Sequence, residues 1–384
     1  DQNIPFLGGT LSLQSSLSRL DQFNYDLQTY NTVPLILNYT QPIRAYNALK
    51  WRKKTAPLQY ENAQRAYLET MQDITINVTN LFFTVLSAQE NYRQSVADHE
   101  DRKHLFEIAK KRLDLGTTTK SEVLQMELSL LNAKMSVNST NLTLRTQLFS
   151  LFSYLRIVDY GDIELLPPYY MPEIEMNAEQ VLDKAWTGSS HSIEQQLNLL
   201  ESQRALAEAK ANRGLQVEFR GRLGLSQSAN ELPAAYRRLK DYETVGLTMT
   251  IPIYDWGMGR GKVRMAKTDV EITKTQIEQA NIEFAHDVRT KVLQFNNQAE
   301  QCKTSLRAQD IAAERYDIMK KRFESGWVTV TELNTAQEEF ESAQHQYISQ
   351  LQQFWTDYYG IQKLTLYDFI RKENIGVNFN DLVN

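Results

Sequence analysis

The chain has 384 residues, of which 42 are lysine or arginine and 47 are aspartate or glutamate, so its formal net charge at pH 7 is −5. No basic patch stands out along the sequence, which argues against nucleic acid as a partner. No apolar run approaches the ~20 residues that a transmembrane helix needs. The 15 glycines and 9 prolines are few for this length, a composition typical of long helices with polar faces.

The sequence carries none of the patterns expected of an enzyme or a metal site. The five histidines are scattered, and no zinc-ligand spacing, Walker A loop or nucleophile elbow occurs. Cys302 is the single cysteine, so the chain cannot form an internal disulfide. We therefore expect a protein without catalytic activity, cofactor or metal.

The first predicted element is a β-hairpin over residues 8–43. Apolar and polar residues alternate along 8–20 and again along 33–43, and a period of two indicates strands. One face of this hairpin is therefore apolar and the other polar. Two interpretations are open: a ribbon packed on a helix, or part of a porin-type wall with its apolar face toward lipid.

A helical hairpin is predicted over residues 44–156, with its tip near residue 116. A basic cluster ending in Arg112 occupies the last turn of its first helix, where positive charge is favourable. Gly116 suits the left-handed position that ends a helix. Thr119 and Glu122 then form a Thr-x-x-Glu capping box, which predicts the start of the returning helix.

The same elements are predicted a second time. Residues 157–177 form a linker with extended pieces, and residues 178–213 form a further helix. The second copy then has a β-hairpin over 215–253, a helical hairpin over 257–364 with its tip near residue 326, and a C-terminal tail over 367–384. The chain thus contains two structural repeats, 1–156 and 178–366.

Two local patterns recur at one offset, which indicates an internal duplication. Gly116 at the first tip corresponds to Gly326 at the second, and Pro42 corresponds to Pro252, both 210 residues further on. A helix precedes the second β-hairpin but not the first, so we expect a further segment of about 40–60 residues before the first residue. Four strands leave open edges, whereas three subunits would supply twelve.

These residues resemble the TolC-like outer membrane factor family, the exit ducts of efflux pumps and type I secretion systems. The resemblance is carried by the junction from Leu247 to Gly261, which contains Pro-Ile-Tyr-Asp-Trp-Gly, by the doubled Arg-[Leu/Phe]-x-x-Gly-x-x-Thr tip, and by the duplicated strand–strand–helix–helix unit. It covers the whole chain. The first copy departs from the family junction, because Pro42 is followed by Ile-Arg-Ala-Tyr-Asn.

The resemblance implies a mostly α fold with a β-barrel part. A homotrimer would form a twelve-stranded barrel in the lipid of the bacterial outer membrane, continuous with a long α-helical barrel in the periplasm. The tips would meet a periplasmic adaptor and an inner membrane transporter. Docking of these partners would open the tips and release substrates across the outer membrane.

The resemblance also assigns roles to individual residues. Glu332, and Glu122 as its counterpart, are candidates for a carboxylate ring at the pore constriction, and such a ring favours cations. The alternative interpretation is that both carboxylates only cap their helices. The candidates for adaptor docking are Arg112, Gly116, Arg322 and Gly326, for which helix capping alone is again the alternative.

Two further implications concern the gate and the junction. Phe323 and Val328 match positions where family members place residues that tie the tips shut, but neither side chain can form such bonds. Any latch in this chain must therefore use other residues. Pro252, Asp255 and Gly257 are expected to form the turn from strand to helix in the second copy.

A second functional class is a periplasmic coiled-coil scaffold or adaptor. Adaptors also contain helical hairpins, but normally one hairpin attached to small β-rich domains. Two equal hairpins with two amphipathic strand pairs fit that class poorly, so the sequence favours the channel.

Overall fold

The computed structural model describes residues 1–4, 8–22, 27–159, 161, 163–168, 171–325 and 327–382. The chain divides into two compact units. The strand unit consists of Asp1–Arg65 and Ser190–Phe284, and the helical unit consists of Ala66–Ser189 and Ala285–Asn384. Each unit therefore takes one stretch from each half of the sequence.

An antiparallel sheet forms the centre of the strand unit. Its strands are β1 (Gln2–Ile4), β2 (Gly9–Gln22), β3 (Leu27–Arg44), β4 (Gln216–Ala229) and β5 (Lys240–Thr250), in the order β1-β2-β3-β4-β5. The two predicted hairpins thus pair with each other through β3 and β4. A separate pair of two-residue strands, β6 (Tyr367–Asp368) and β7 (Glu373–Asn374), lies in the helical unit.

Helices form most of the rest of the described chain. In chain order they are α1 (Ala48–Asp114), α2 (Lys120–Tyr154), α3 (Ala178–Gly188), α4 (His191–Arg213), α5 (Leu232–Ala235), α6 (Met258–Glu324), α7 (Val330–Thr365) and α8 (Phe379–Leu382). None of the helices, within the residues described, has an apolar stretch long enough to cross a membrane.

The long helices repeat the sequence duplication. Both α1 and α6 contain 67 residues, and their first and last residues are each 210 positions apart. The same offset separates the first residues of α2 and α7. A duplicated unit is therefore confirmed at the level of the helices.

The register of the sheet separates two faces. Leu13 pairs with Leu37, Leu37 pairs with Leu223, and all three are at least 37% exposed. On the next row Ser12 pairs with Asn38, and Asn38 in turn pairs with Arg222. Because successive side chains of a strand point to opposite faces, one face is apolar and the other polar. The alternation predicted from the sequence is confirmed.

The ends of the strands differ from the prediction. The second hairpin was expected over 215–253, but β5 ends at Thr250, where it pairs with Gln216. Pro252 lacks an N–H and cannot continue the ladder. Pro42, in contrast, stays within β3 and pairs with Glu218 beside a register shift. The short strand β1 and the four-residue helix α5 were not predicted.

The predicted single helix over 178–213 is interrupted, and this is a correction. Helix α3 ends at Gly188, Ser189 is extended, and α4 begins at His191. A Cβ atom on Gly188 would lie 2.0 Å from the backbone oxygen of Thr365, so the two backbones touch here. This contact with α7 is tertiary, and the local sequence pattern did not reveal it.

The described part of the linker 157–177 forms neither helix nor strand. Two side-chain amides hold it. Gln89 exchanges two hydrogen bonds of 2.9 Å with the backbone of Leu165. Asn296 accepts a bond of 3.0 Å from the Met176 N–H and donates one of 2.9 Å to its carbonyl. Each side-chain amide therefore satisfies both the backbone N–H and the backbone carbonyl of one linker residue.

Candidate functional site at the helical tips

The first tip is a tight helix ending. Gly116 has φ +72°, its N–H donates to the Leu113 carbonyl at 2.9 Å, and the N–H of Thr117 donates to the Arg112 carbonyl at 2.9 Å. This pair of bonds is a Schellman motif, in which glycine is favoured because φ is positive. The helix-ending role predicted for Gly116 is therefore confirmed.

The second tip shares the corresponding bond. The N–H of Trp327 donates to the Arg322 carbonyl at 3.0 Å, 210 residues after the bond between Thr117 and Arg112. The predicted docking residue Gly326 lies outside the described residues. Both returning helices thus begin a few residues after a backbone bond to an arginine carbonyl.

Both predicted capping boxes are present. The Thr119 hydroxyl accepts from the Glu122 N–H at 3.3 Å, and Thr329 accepts from the Glu332 N–H at 3.3 Å. The reverse bonds run from each threonine N–H to the glutamate Oε2, at 3.4 Å to Glu122 and 2.7 Å to Glu332. The hydrogen bonds from Thr329 hold the pKa of Glu332 below its usual value. Both glutamates are therefore capping residues of the returning helices.

An apolar cluster joins the two hairpins near the tips. Its buried members come from all four long helices: Leu105, Phe106, Val123, Met126, Phe323 and Leu333. A cavity of about 280 Å³ adjoins it, and its walls include Arg112, Glu122, Phe323, Val328 and Thr329. Phe323 and Val328, which could not form latch bonds, instead pack in this cluster.

A polar network centred on Arg102 adjoins the apolar cluster on the side away from the tip turns. From α1, the Arg102 guanidinium donates to Asp98 on the same helix at 2.9 Å and to Ser129 on α2 at 2.8 Å. It also donates to Asn334 at 2.8 Å and to Gln337 at 2.9 Å, both on α7. Because its side chain is only 14% exposed, these bonds compensate the desolvation of the charge.

Gln337 and Asp98 close the network. The Gln337 amide donates to Asp98 at 2.7 Å, and Gln337 itself is only 6% exposed. Arg102 and Gln337 therefore share the Asp98 carboxylate and also contact each other. The first and second hairpins are joined here by hydrogen bonds between residues more than 200 positions apart in the sequence.

A second ionic link joins the same hairpins. Lys320 on α6 donates to both oxygens of Asp101 on α1, at 2.7 and 2.8 Å, and the Tyr316 hydroxyl donates to the same carboxylate at 3.3 Å. Burial, followed by the charge of Asp101, raises the pKa of Tyr316. We call these residues together with Asp98, Arg102, Asn334 and Gln337 the tip latch.

The tip latch is absent from the sequence predictions. Lys320 begins the basic run Lys-Lys-Arg before the second tip, which is typical of a helix end, and the charges at 98–102 are typical of a solvated helix face. A signal was present in the spacing of Asp98, Asp101 and Arg102, since residues three and four apart share one helix face. The partners of that face could not be read from one sequence.

The predicted junction residues form the turn before α6. The Asp255 carboxylate accepts from the Gly257 N–H at 3.0 Å and from the Gly259 N–H at 2.7 Å. These bonds lower the pKa of Asp255. Gly257 has φ +82°, and Pro252 lies between the end of β5 and this turn. In the first copy Asn47 takes the capping role instead and accepts from the Lys50 N–H at 2.9 Å.

Within the described residues, no three histidine, cysteine, aspartate or glutamate side chains are arranged to hold a metal ion. The site consists of helix caps, an apolar cluster, hydrogen bonds and ion pairs that join the two hairpins.

Comparison with known proteins completes the description of the site. The sequence model described as "outer membrane efflux protein" matches residues 1–155 and 189–365. A search of curated proteins found no match.

Several solved structures share the fold. The CmeC outer membrane channel of Campylobacter jejuni superposes with a TM-score of 0.73 at 14% identity, over 99% of this chain and 81% of that one. The open state of the MtrE outer membrane channel of Neisseria gonorrhoeae superposes with a TM-score of 0.71 at 13% identity, over 94% of this chain and 80% of that one. The outer membrane protein VceC of Vibrio cholerae superposes with a TM-score of 0.67 at 14% identity, over 93% of this chain and 86% of that one.

Proposed function

The chain belongs to the outer membrane efflux protein family, and from this premise we propose a mechanism. The resemblance found in the sequence is confirmed by this membership. The chain is an outer membrane efflux channel that extends into the periplasm, and the family match favours this function over a periplasmic scaffold. Its partners in a tripartite pump are a periplasmic adaptor and an inner membrane transporter.

The working unit in our proposal is a homotrimer. Helix α2 exposes an apolar stripe with alternating spacings of four and three residues, interrupted by Asn138 and Arg145. Its members are 51% to 68% exposed: Leu124, Leu128, Leu131, Met135, Leu142 and Phe149. Such a heptad stripe is typical of a helix that packs against another helix. A second copy of the chain is the partner we propose for it.

The sheet supports the same assembly. Within the described residues β5 pairs with β4 alone, which leaves its other edge open. An open edge is stabilised by pairing with a further strand. In the trimer, neighbouring subunits would pair edge to edge, and the four long strands of each would together give twelve. The exposed apolar face would then contact outer membrane lipid.

The observation that carries the proposed mechanism is the tip latch. Arg102 and Asp101 on the first hairpin bond to Gln337, Asn334 and Lys320 on the second. We propose that these bonds hold the two hairpins of one subunit together at rest. Docking of the adaptor would break them and let the hairpins separate, which widens the passage.

Adaptor docking is assigned to the tip turns. Arg112 and Gly116 in the first turn and Arg322 in the second present charged side chains and exposed backbone. Gly326 is assigned with them from its position in the sequence repeat. The cavity beside Arg112 and Glu122 is large enough to take a side chain of a docking helix. Binding there would act on the apolar cluster directly, since Phe323 lines both.

The constriction is assigned to Glu332, with Glu122 as its counterpart. Both bonds from Thr329 end on Oε2 of Glu332, so its other carboxylate oxygen can face the passage while the cap stays intact. Three such carboxylates around an axis would favour cations over anions. Capping and ion selection would then be two functions of one side chain.

Fractionation and electrophysiology test this proposal together. The full chain should fractionate with the outer membrane, run as a heat-resistant trimer on gels and form discrete pores in a planar lipid bilayer. Recovery as a soluble periplasmic monomer would support the scaffold function instead.

A further inference from the structure

The polar face of the sheet contains a cavity of about 410 Å³. Its walls combine hydroxyl, amide, apolar and guanidinium groups, contributed by Gln14, Ser16, Val33, Ile36, Asn38, Arg222, Ser226 and Tyr242. Arg222 is the one charged residue in this set, and no carboxylate lines the cavity among the described residues.

The register places Arg222 and Tyr242 close together on one face of the sheet. Asn38 pairs with Arg222, and two residues along the strands Ile36 pairs with Gly224. Gly224 pairs in turn with Tyr242. A Cβ atom on Gly224 would lie 2.5 Å from the Leu35 carbonyl oxygen and 2.7 Å from the Ile36 Cα, so β3 and β4 approach each other here as closely as only glycine allows. Arg222 and Tyr242 are therefore neighbours on the face that contains the cavity.

Arg222 differs from Arg19 and Arg220, two other arginines on the exposed strands. Arg220 forms an ion pair with Glu218 on the same strand, and Arg19 forms one of 2.8 Å with Asp21. Among the described residues Arg222 forms no ion pair, and its side chain lines the cavity together with that of Tyr242. A guanidinium presents several donors in a planar fork that matches carboxylate and phosphate. Its charge is thus available to a ligand.

We infer that Arg222 and Tyr242 form a subsite for an anionic group, phosphate or carboxylate, on a solute that passes along the polar face. This inference rests on the proposed function, in which that face lines the channel. The subsite would give this part of the passage a preference opposite in sign to that of the glutamates at the tips. Gln14, Asn38 and Ser226 supply uncharged hydrogen-bonding partners for the rest of the solute.

The test is calorimetric titration of the detergent-purified full chain with inorganic phosphate. Wild type should bind, and Arg222→Gln should weaken binding about tenfold or more, because a charge-assisted hydrogen bond is lost. Tyr242→Phe should weaken it less, since the guanidinium remains. The matched control is Arg19→Gln, which removes an exposed strand arginine that also lies over a tyrosine ring, 5.8 Å from the centroid of Tyr30. That variant should bind as wild type, because Asp21 already neutralises Arg19.

Each outcome decides the inference. No phosphate binding by wild type, or equal binding by wild type and Arg222→Gln, would overturn it. Equal losses in Arg222→Gln and Arg19→Gln would also overturn it, since they would report only the net charge of the sheet. Potassium chloride currents in a planar bilayer test the channel separately: currents without arginine-dependent phosphate binding would contradict the subsite and leave the proposed function intact.

Discussion

Replacing Arg102 by alanine should open the tips. Two of its hydrogen bonds, to Asn334 and Gln337, join the first hairpin to the second, and both are 2.8–2.9 Å long. Bonds to a charged group contribute roughly 1.5–3 kcal/mol each, and neighbouring bonds are not additive. We therefore expect the joined state of each subunit to lose about 3 kcal/mol, which corresponds to about a 150-fold rise, per subunit, in the ratio of separated to joined hairpins.

The assay is the open probability of single channels in a planar bilayer. The matched control is Arg93→Ala, also on α1, because within the described residues Arg93 bonds only to Glu90 on its own helix, at 2.6 and 3.0 Å. Arg102→Lys should fall between wild type and Arg102→Ala, since lysine keeps the charge but lacks the planar guanidinium with its several donors. An open probability of Arg102→Ala equal to that of Arg93→Ala, with both trimers intact, would refute the latch.

Four further outcomes are expected. Glu332→Gln should reduce the preference of the pore for cations, measured as the reversal potential in a salt gradient, whereas Glu338→Gln on the same helix should change it less. Gly116→Ala should destabilise the protein by about 1–2 kcal/mol in thermal unfolding, because φ is +72° at this position, and Gly161→Ala, where an added Cβ atom meets nothing within 4 Å, should not. Asp255 has a lowered pKa, so its stabilising contribution should be complete above about pH 4 and should disappear as the pH falls through the folded-state pKa; Asp255→Asn should remove this part of the pH dependence of the melting temperature. Burial raises the pKa of Cys302 to about 11, so a thiol reagent should label it at pH 8 only after denaturation, and rapid labelling of the folded protein would contradict its burial.

The sequence predicted the parts of the tips that depend on local chemistry. Gly116, Thr119 and Glu122 act within one turn of their neighbours, so their spacing alone indicated a helix end and a capping box. The same holds for Asp255 and Gly257 at the second junction. Duplication of these short patterns was enough to place four long helices and two strand pairs.

Contacts between distant segments could not be predicted in this way. The break between α3 and α4 follows from the approach of Gly188 to Thr365, and the latch joins Arg102 to Gln337 across 235 positions. On one helix, Arg102 resembles any charge on a solvated face. Only the fold places a second hairpin against it.

The most direct test of the account is the current carried by single channels of wild type and Arg102→Ala in the same bilayer. We predict small, discrete, cation-preferring steps for wild type and a far higher open probability for Arg102→Ala. Folded, membrane-inserted trimers that carry no current in either form would contradict the account, because a channel sealed by the tip latch should open when the latch is removed.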